Sequence, residues 1–249
     1  MEIQSLPEHE LARLREKAKE IVGNQEDYGD VYSGLLSRRL NHEPLQYIEE
    51  YIPFYSIQIN VDSRALIPRP ETEYLVELIK EQCSNPQKIL DVGTGSGCIG
   101  LMLKKLFPDS NVDAVDISYE ALSLANENSV INNLEINLYH SDLLENVTST
   151  DFDLIVANLP YIPTSTLSSL DKEVIEFEPL MALDGGTDGM LYINKLITQI
   201  EDKNFENTTL FLEVDVSHAH QILSRLSTWT EVKLVKDLVE RDRYIIAKK

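Results

Sequence analysis

An α/β fold built on a seven-stranded, mostly parallel sheet is what this sequence predicts. Three observations predict it. From Lys88 onward, apolar runs of strand length alternate with amphipathic runs of helix length, which implies parallel strands with helices on both faces. The first of those strands runs into the glycine-rich "DVGTGSG" and then a helix, the arrangement found where an open sheet binds ligands at its carboxyl edge. The last two apolar runs are separated only by "DLVERD", which is too short for a crossover helix, so they close the sheet as an antiparallel pair.

The elements follow in chain order. Residues 5–22 read as a helix. Ser5 and Glu8 have the spacing of a capping box, Pro7 sits in the tolerated first turn, and Leu11, Leu14, Ala18 and Ile21 share one face. A second short helix over 30–40 carries Val31, Leu35, Leu36 and Leu40, with a polar joint from Gly23 to Gly29 between the two. Residues 1–42 are thus a small helical N-terminal cap. Residues 43–66 read as a linking β-hairpin, with 46–52 as one strand and the alternating Ile57, Ile59 and Val61 in the other. Pro68 and Pro70 break any helix there, and Glu71 opens one that carries Leu75, Leu78 and Ile79. The main domain, 67–249, then has strands at 88–92, 111–115, 134–139, 153–157, 209–214, 231–236 and 242–247. Helices fit between them at 98–107, 118–129, 188–202 and 217–227. The glycine loop after the first of these strands requires residues 88–92 to lie inside the sheet.

Bulk composition narrows the function. The 249 residues, 43% of them hydrophobic, suffice for a real core. No apolar run is long enough to span a membrane, and "MEIQSLPEHE" lacks the basic-then-apolar layout of a secretion signal, so the expected location is cytoplasmic. Cys83 and Cys98 have no metal-like spacing and read as reduced, packed thiols. His218 and His220 lack further ligands, so no metal site is expected. A net charge of −20 repels a phosphate backbone, which argues against stable nucleic-acid binding; it allows a protein partner with a basic patch and equally serves solubility alone.

The chemistry concentrates at strand ends. Gly93, Gly95 and Gly97, with Thr94 and Ser96 between them, allow tight turning and close approach of backbone to a ligand. Their spacing is not the dinucleotide fingerprint, and Asp91 before them would repel a pyrophosphate. A carboxylate there suits an ammonium group instead. Asp116, at the tip of the next strand, has the position that accepts ribose hydroxyls. In "HSDLL", Asp142 suits an adenine amino group and Leu143 its ring. An amino-acid cation, a ribose and an adenine together describe S-adenosyl-L-methionine. The stretch "FDLIVANLPYIP" then acquires a purpose. Asn158 and a backbone carbonyl of Leu159 or Pro160 can grip the two N–H groups of a planar –NH₂, and Tyr161 can pack on its plane.

"NLPY" resembles the N-P-P-Y of methyltransferases that modify planar nitrogens. "EPLQY" and "LIPRPETEYLVE", followed by "FEPLMALDGGTDGM" and "KDLVERDRYIIA", are similar to the protein-(glutamine-N5) methyltransferases, over about residues 43–249. That resemblance implies a Rossmann-like class I methyltransferase fold. It implies methyl transfer to the glutamine of the Gly-Gly-Gln motif in peptide chain release factors. It implies Asn158, Pro160 and Tyr161 as catalytic residues, with Leu159 also binding substrate, and Gly93–Gly97, Asp116, Asp142, Leu143 and Asn158 holding the cofactor. Arg69, Glu71 and Thr72 brace the cofactor side. The chain departs from the family pattern at Leu159, where proline is usual, at His42 and Asp215, where glycines are usual, and in its short N-terminal part. The alternative is an RNA adenine-N6 methyltransferase, in which N-L-P-Y is a usual form, but that family resembles the cofactor half only. A non-catalytic binding protein is disfavoured by the intact glycine loop and Asn158.

Overall fold

The computed structural model describes residues 6–23 and 27–249. Helix α1 (Glu8–Ile21) starts directly after Pro7, which serves as its N-cap rather than sitting inside its first turn. Ser5 of the expected capping box lies outside the described residues. Helix α2 (Gly29–Leu40) packs back on α1. The strand expected at 46–52 is instead a short helix, α3 (Leu45–Glu49). Pro44 fixes the backbone for a helix start. Leu45 and Ile48 then fall one turn apart and join Leu14, Ala18 and Leu35 in a small core. Glu50, with φ 72°, ends the helix in the left-handed conformation. Periodicity over seven residues was too short to separate these outcomes.

The hairpin follows, from β1 (Tyr51–Phe54) to β2 (Ile57–Asn60), with Ile52 opposite Ile59. Pro53 is tolerated because the pair forms a separate two-stranded sheet, where a missing ladder donor can face outward. Helix α4 (Pro70–Gln82) has proline at its start and buries Leu75, Leu78 and Ile79.

The main body runs β3 (Lys88–Val92), α5 (Cys98–Leu106), β4 (Asn111–Asp116), α6 (Tyr119–Asn132), β5 (Asn137–His140), β6 (Leu154–Ala157), α7 (Lys172–Phe177), α8 (Leu191–Asp202), β7 (Thr209–Glu213), α9 (Ala219–Arg225), β8 (Glu231–Lys236) and β9 (Asp242–Lys248). The seven-stranded sheet has the order β5-β4-β3-β6-β7-β9-β8. The β3, β4, β5, β6 and β7 pairings are parallel, while β9 runs antiparallel to both β7 and β8. Strand β3 is internal, as the glycine loop requires. Strand β5 begins three residues later than 134 because α6 ends in a left-handed Asn133 (φ 52°), with the Leu134 amide donating to the Ser129 carbonyl at 3.1 Å.

Two cores cover the two faces. One unites α4 and α5 with Ile89, Val112 and Leu154; the other unites α8 and α9 with Leu90, Ile155 and Leu212. Two polar ties fasten the N-terminal part to this body. Asn128 of α6, fully buried, bonds both the amide and the carbonyl of Asn60 in β2 and donates to the Ser96 carbonyl at 2.9 Å. Arg39 of α2 bridges Glu10 of α1 and Glu173 of α7. The fold therefore gathers the carboxyl ends of β3, β4, β6 and β7 at one edge, with the hairpin and the start of α4 leaning over it.

Candidate active site

A cavity of about 520 Å³ opens at that edge, within the size range of small-molecule sites. Gly93, Thr94, Gly95 and Ser96 form its floor, with φ of 73° at Gly93 and 55° at Gly95. Asp116 and Ile117 line one side, Asp142 and Leu143 the far end, and Asn158, Leu159 and Pro160 the opposite wall. Arg69 and Thr72 approach from the start of α4. Twelve of the site positions singled out in the sequence thus meet around one space.

Two do not line it. Gly97, at φ 84°, starts α5, and a Cβ there would stand 3.1 Å from the Ala125 Cβ, so its bareness serves the packing of α5 on α6. Tyr161 is turned into the core behind the wall, and burial pushes its phenol up to about 12. What it faces there is Glu213 and Arg243 rather than the cavity.

Asp91 corrects the sequence reading more sharply. It is fully buried and does not reach the cavity. Its Oδ2 accepts from the Thr94 hydroxyl at 2.6 Å and from the Gly100 amide at 2.9 Å. The carboxylate therefore braces the glycine loop against the first turn of α5, where free amides favour an anion. Its Oδ1 has no partner among the described residues, and burial raises the carboxyl to about 6.

Asp116 does face the cavity, and it also anchors backbone. Its Oδ2 accepts from the Gly95 amide and its Oδ1 from the Ser118 amide, both at 2.9 Å. Each oxygen keeps a second lone pair. Burial raises this carboxyl too. Asp142 is paired with Lys195 at 2.7 Å on the rim. Leu143 is buried with φ 52°, which swings its side chain over the far end.

The wall that carries Asn158 is held from behind. The Ile162 amide donates to the Leu183 carbonyl, the Gly185 amide to the Ile162 carbonyl, and the Thr164 amide to the Gly186 carbonyl, at 2.8–3.1 Å. A Cβ at Gly185 would stand 2.8 Å from the Pro160 carbonyl oxygen, so Pro160 points its carbonyl at that loop. Leu159 is buried, and its Cδ2 lies 2.9 Å from where a Cβ on Gly93 would be. The leucine that replaces the family's proline thus fills the space above a glycine on the floor.

Asn158 itself donates from Nδ2 to the Thr72 hydroxyl oxygen at 3.1 Å. That hydroxyl donates to Glu213 Oε2 at 2.9 Å. The Asn158 Oδ1 takes no hydrogen bond among the described residues. Arg69 is paired with the buried Glu178, which also accepts from the Ile67 amide at 3.1 Å. Glu71 uses its backbone carbonyl, which accepts from the Tyr244 hydroxyl at 2.7 Å, and its side chain makes no hydrogen bond among the described residues. Glu213 and Glu178 escaped notice in the sequence. Glu213 had a signal, an acid ending the apolar run "TLFLE", the same pattern that drew attention to Asp91 and Asp116.

Among the described residues, no helix is long and apolar enough to cross a membrane, and no group of three or more His, Cys, Asp or Glu side chains could hold a metal ion.

The comparisons with known proteins agree with this architecture. Residues 69–177 match the family model described as methyltransferase small domain. A methyltransferase from Pyrococcus furiosus superposes with a TM-score of 0.60 at 21% identity, covering 87% of this chain and 98% of that one, which is a likeness of fold. The release factor glutamine methyltransferase of Thermodesulfovibrio yellowstonii is 37% identical over 222 residues, 86% of this chain and 80% of that protein. The protein of the same name from Lactococcus lactis subsp. lactis is 38% identical over 218 residues, 86% of this chain and 80% of that protein. With that identity sustained over most of both partners, on a class I methyltransferase sheet, the chain belongs to the release factor glutamine methyltransferase family.

Proposed function

We propose that this protein transfers the methyl group of S-adenosyl-L-methionine to the side-chain amide nitrogen of a release-factor glutamine, the one in the Gly-Gly-Gln motif. The observation that carries the reading is the Asn158 carboxamide. Its NH₂ is committed to Thr72, which leaves Oδ1 at the cavity wall as an acceptor.

The cavity's donor set fits the cofactor. Asp116 retains acceptor capacity for a diol, Leu143 gives an apolar face for a base, and the bare Gly95 admits a ligand close to the backbone. The bound cofactor supplies a methyl already activated by its sulfonium, so the protein's task is positioning. A glutamine amide nitrogen is a poor nucleophile because its lone pair is delocalised. Asn158 Oδ1 and the Leu159 carbonyl accept its two N–H groups and draw the nitrogen toward tetrahedral geometry. Leu159 is favoured over Pro160 because the Pro160 carbonyl is packed on Gly185. No strong base is needed, since the proton becomes acidic only as the new bond forms.

The wide acidic surface suits a basic protein partner and opposes an RNA substrate, and a translation-factor substrate implies action in the cytoplasm. The deciding experiment is mass spectrometry of candidate release factors after incubation with the protein and labelled cofactor. A methyl on the Gly-Gly-Gln glutamine is expected; methylated adenine in RNA, with unmodified release factor, would put the alternative in its place. Asp116→Ala is expected to weaken cofactor binding by about 1–3 kcal/mol, the value of charged hydrogen bonds. Calorimetry checks this, and unchanged affinity would remove Asp116 from the ribose role.

A further inference from the structure

The register of β6 on β7, with Ala157 opposite Leu212, brings Asn158 alongside Glu213. Glu213 is 1% exposed and Thr72 2% exposed. Burying an acid at a strand end is costly, and packing alone would be served by an apolar residue. The three side chains form one directional chain: the Asn158 NH₂ donates to Thr72, and Thr72 donates to Glu213. A hydroxyl has a single proton to give. It can go to Glu213 or to Asn158 Oδ1, and the acceptor at the end of the chain decides which.

We propose that Glu213 is a positioning residue that works through the Thr72 hydroxyl to keep Asn158 Oδ1, rather than its NH₂, turned toward the substrate amide. The inference rests on the acceptor role given to Asn158 above. With Glu213 ionised, the chain runs as found. With Glu213 protonated, its O–H donates to Thr72, Thr72 donates to Asn158 Oδ1, and the carboxamide turns its own N–H groups on a substrate –NH₂ that has only donors to offer.

The groups facing Glu213 come from every side. Thr72 and Glu71 belong to α4, Arg243 and Tyr244 to β9, Asn158 and Tyr161 to the segment after β6, and Cys98 to α5. Burial is the largest influence and raises the carboxyl to about 7, against the lowering by Thr72, by Arg243 and, least, by the Asn158 side chain itself. The productive direction is therefore the high-pH form. Stability runs the other way. Because the folded value lies above the unfolded value of 4.5, the contribution is full below about 4.5 and is lost as pH rises through about 7.

The test is the pH profile of kcat from 5.5 to 8.5 at saturating cofactor and substrate, with thermal unfolding of the ligand-free protein over the same range. The wild type should lose about tenfold in kcat per pH unit below about 7. Glu213→Gln, isosteric and still able to accept from Thr72, should flatten that limb. It should also lessen the decline in melting temperature expected of the wild type toward pH 7, leaving the part that the raised carboxyls of Asp91 and Asp116 contribute. Thr72→Val should lower kcat about 10–100-fold with little change in cofactor KM, and Thr72→Ser should restore it. The proposal is overturned if Glu213→Gln keeps the wild-type limb or the wild-type trend in melting temperature, or if Thr72→Val turns over normally. Asn158→Ala measured alongside separates the two levels. If that variant is impaired and Glu213→Gln parallels the wild type, only the relay falls; if it turns over normally, the acceptor role falls and takes the relay with it.

Discussion

Asn158→Ala is expected to stay folded, to bind S-adenosylmethionine with at most a modest loss, and to methylate release factor roughly 10²–10³-fold more slowly. That is the usual effect of removing one positioned polar group whose contact tightens in the transition state. An asparagine that only ended a strand would cost little when replaced. Asn158→Asp should be similarly poor, because its charge must be desolvated as the site closes and no NH₂ remains to meet Thr72. Near-normal turnover by a folded Asn158→Ala, followed by mass spectrometry on release factor, would end the acceptor mechanism.

Gly189→Ala should produce the largest loss of stability, about 3–5 kcal/mol, with activity lost alongside. A Cβ at this position would stand 2.3 Å from the Tyr161 carbonyl oxygen and 2.5 Å from the His218 ring, and the residue sits at φ 76°. The carbonyl cannot move without carrying the Asn158 wall with it, and a left-handed backbone adds its own strain. Gly34→Ala provides the contrast. It lies inside α2 with nothing near its Cβ, so it should gain about 0.5–1 kcal/mol. Denaturant unfolding of both variants checks the pair, and a mild Gly189→Ala would mean that the loop behind the wall can yield.

The sequence made the main sheet legible because its period and its punctuation agreed: apolar runs ended at glycines and acids in the order that parallel strands require. Asn158, Asp116 and the glycine loop were legible for the same reason, since a polar residue at the end of a buried strand stands out. What period cannot give is the direction in which a strand-end side chain points. Asp91 and Asp116 look alike on paper, yet the first turns under α5 and the second toward the cavity. In the sequence Tyr161 reads as packing on the plane of the substrate amide, whereas in the structure it packs against the core behind the loop from Leu183 to Gly189. Glu213 lies 141 residues from the Thr72 that it contacts, a partnership that no local pattern encodes. The helix at Leu45–Glu49 was hidden by its length, a single turn settled by contact with α1 and α2 rather than by propensity.

Strand β9 follows β8 in the chain but lies inside it in the sheet, between β7 and β8. As the polypeptide is made, β7 can find its parallel neighbour β6 at once, yet its other edge stays bare until Tyr244 to Lys248 arrive to pair with Glu213 to Thr209. Strand β8 has nowhere to attach before then. A premature stop ahead of Asp242 would thus leave the row of backbone groups from Thr209 to Glu213 open to any passing strand, and would strand β8 unpaired, an invitation to aggregate. It would also remove Arg243 and Tyr244 from beside Glu213. Completion of the sheet therefore waits on β9.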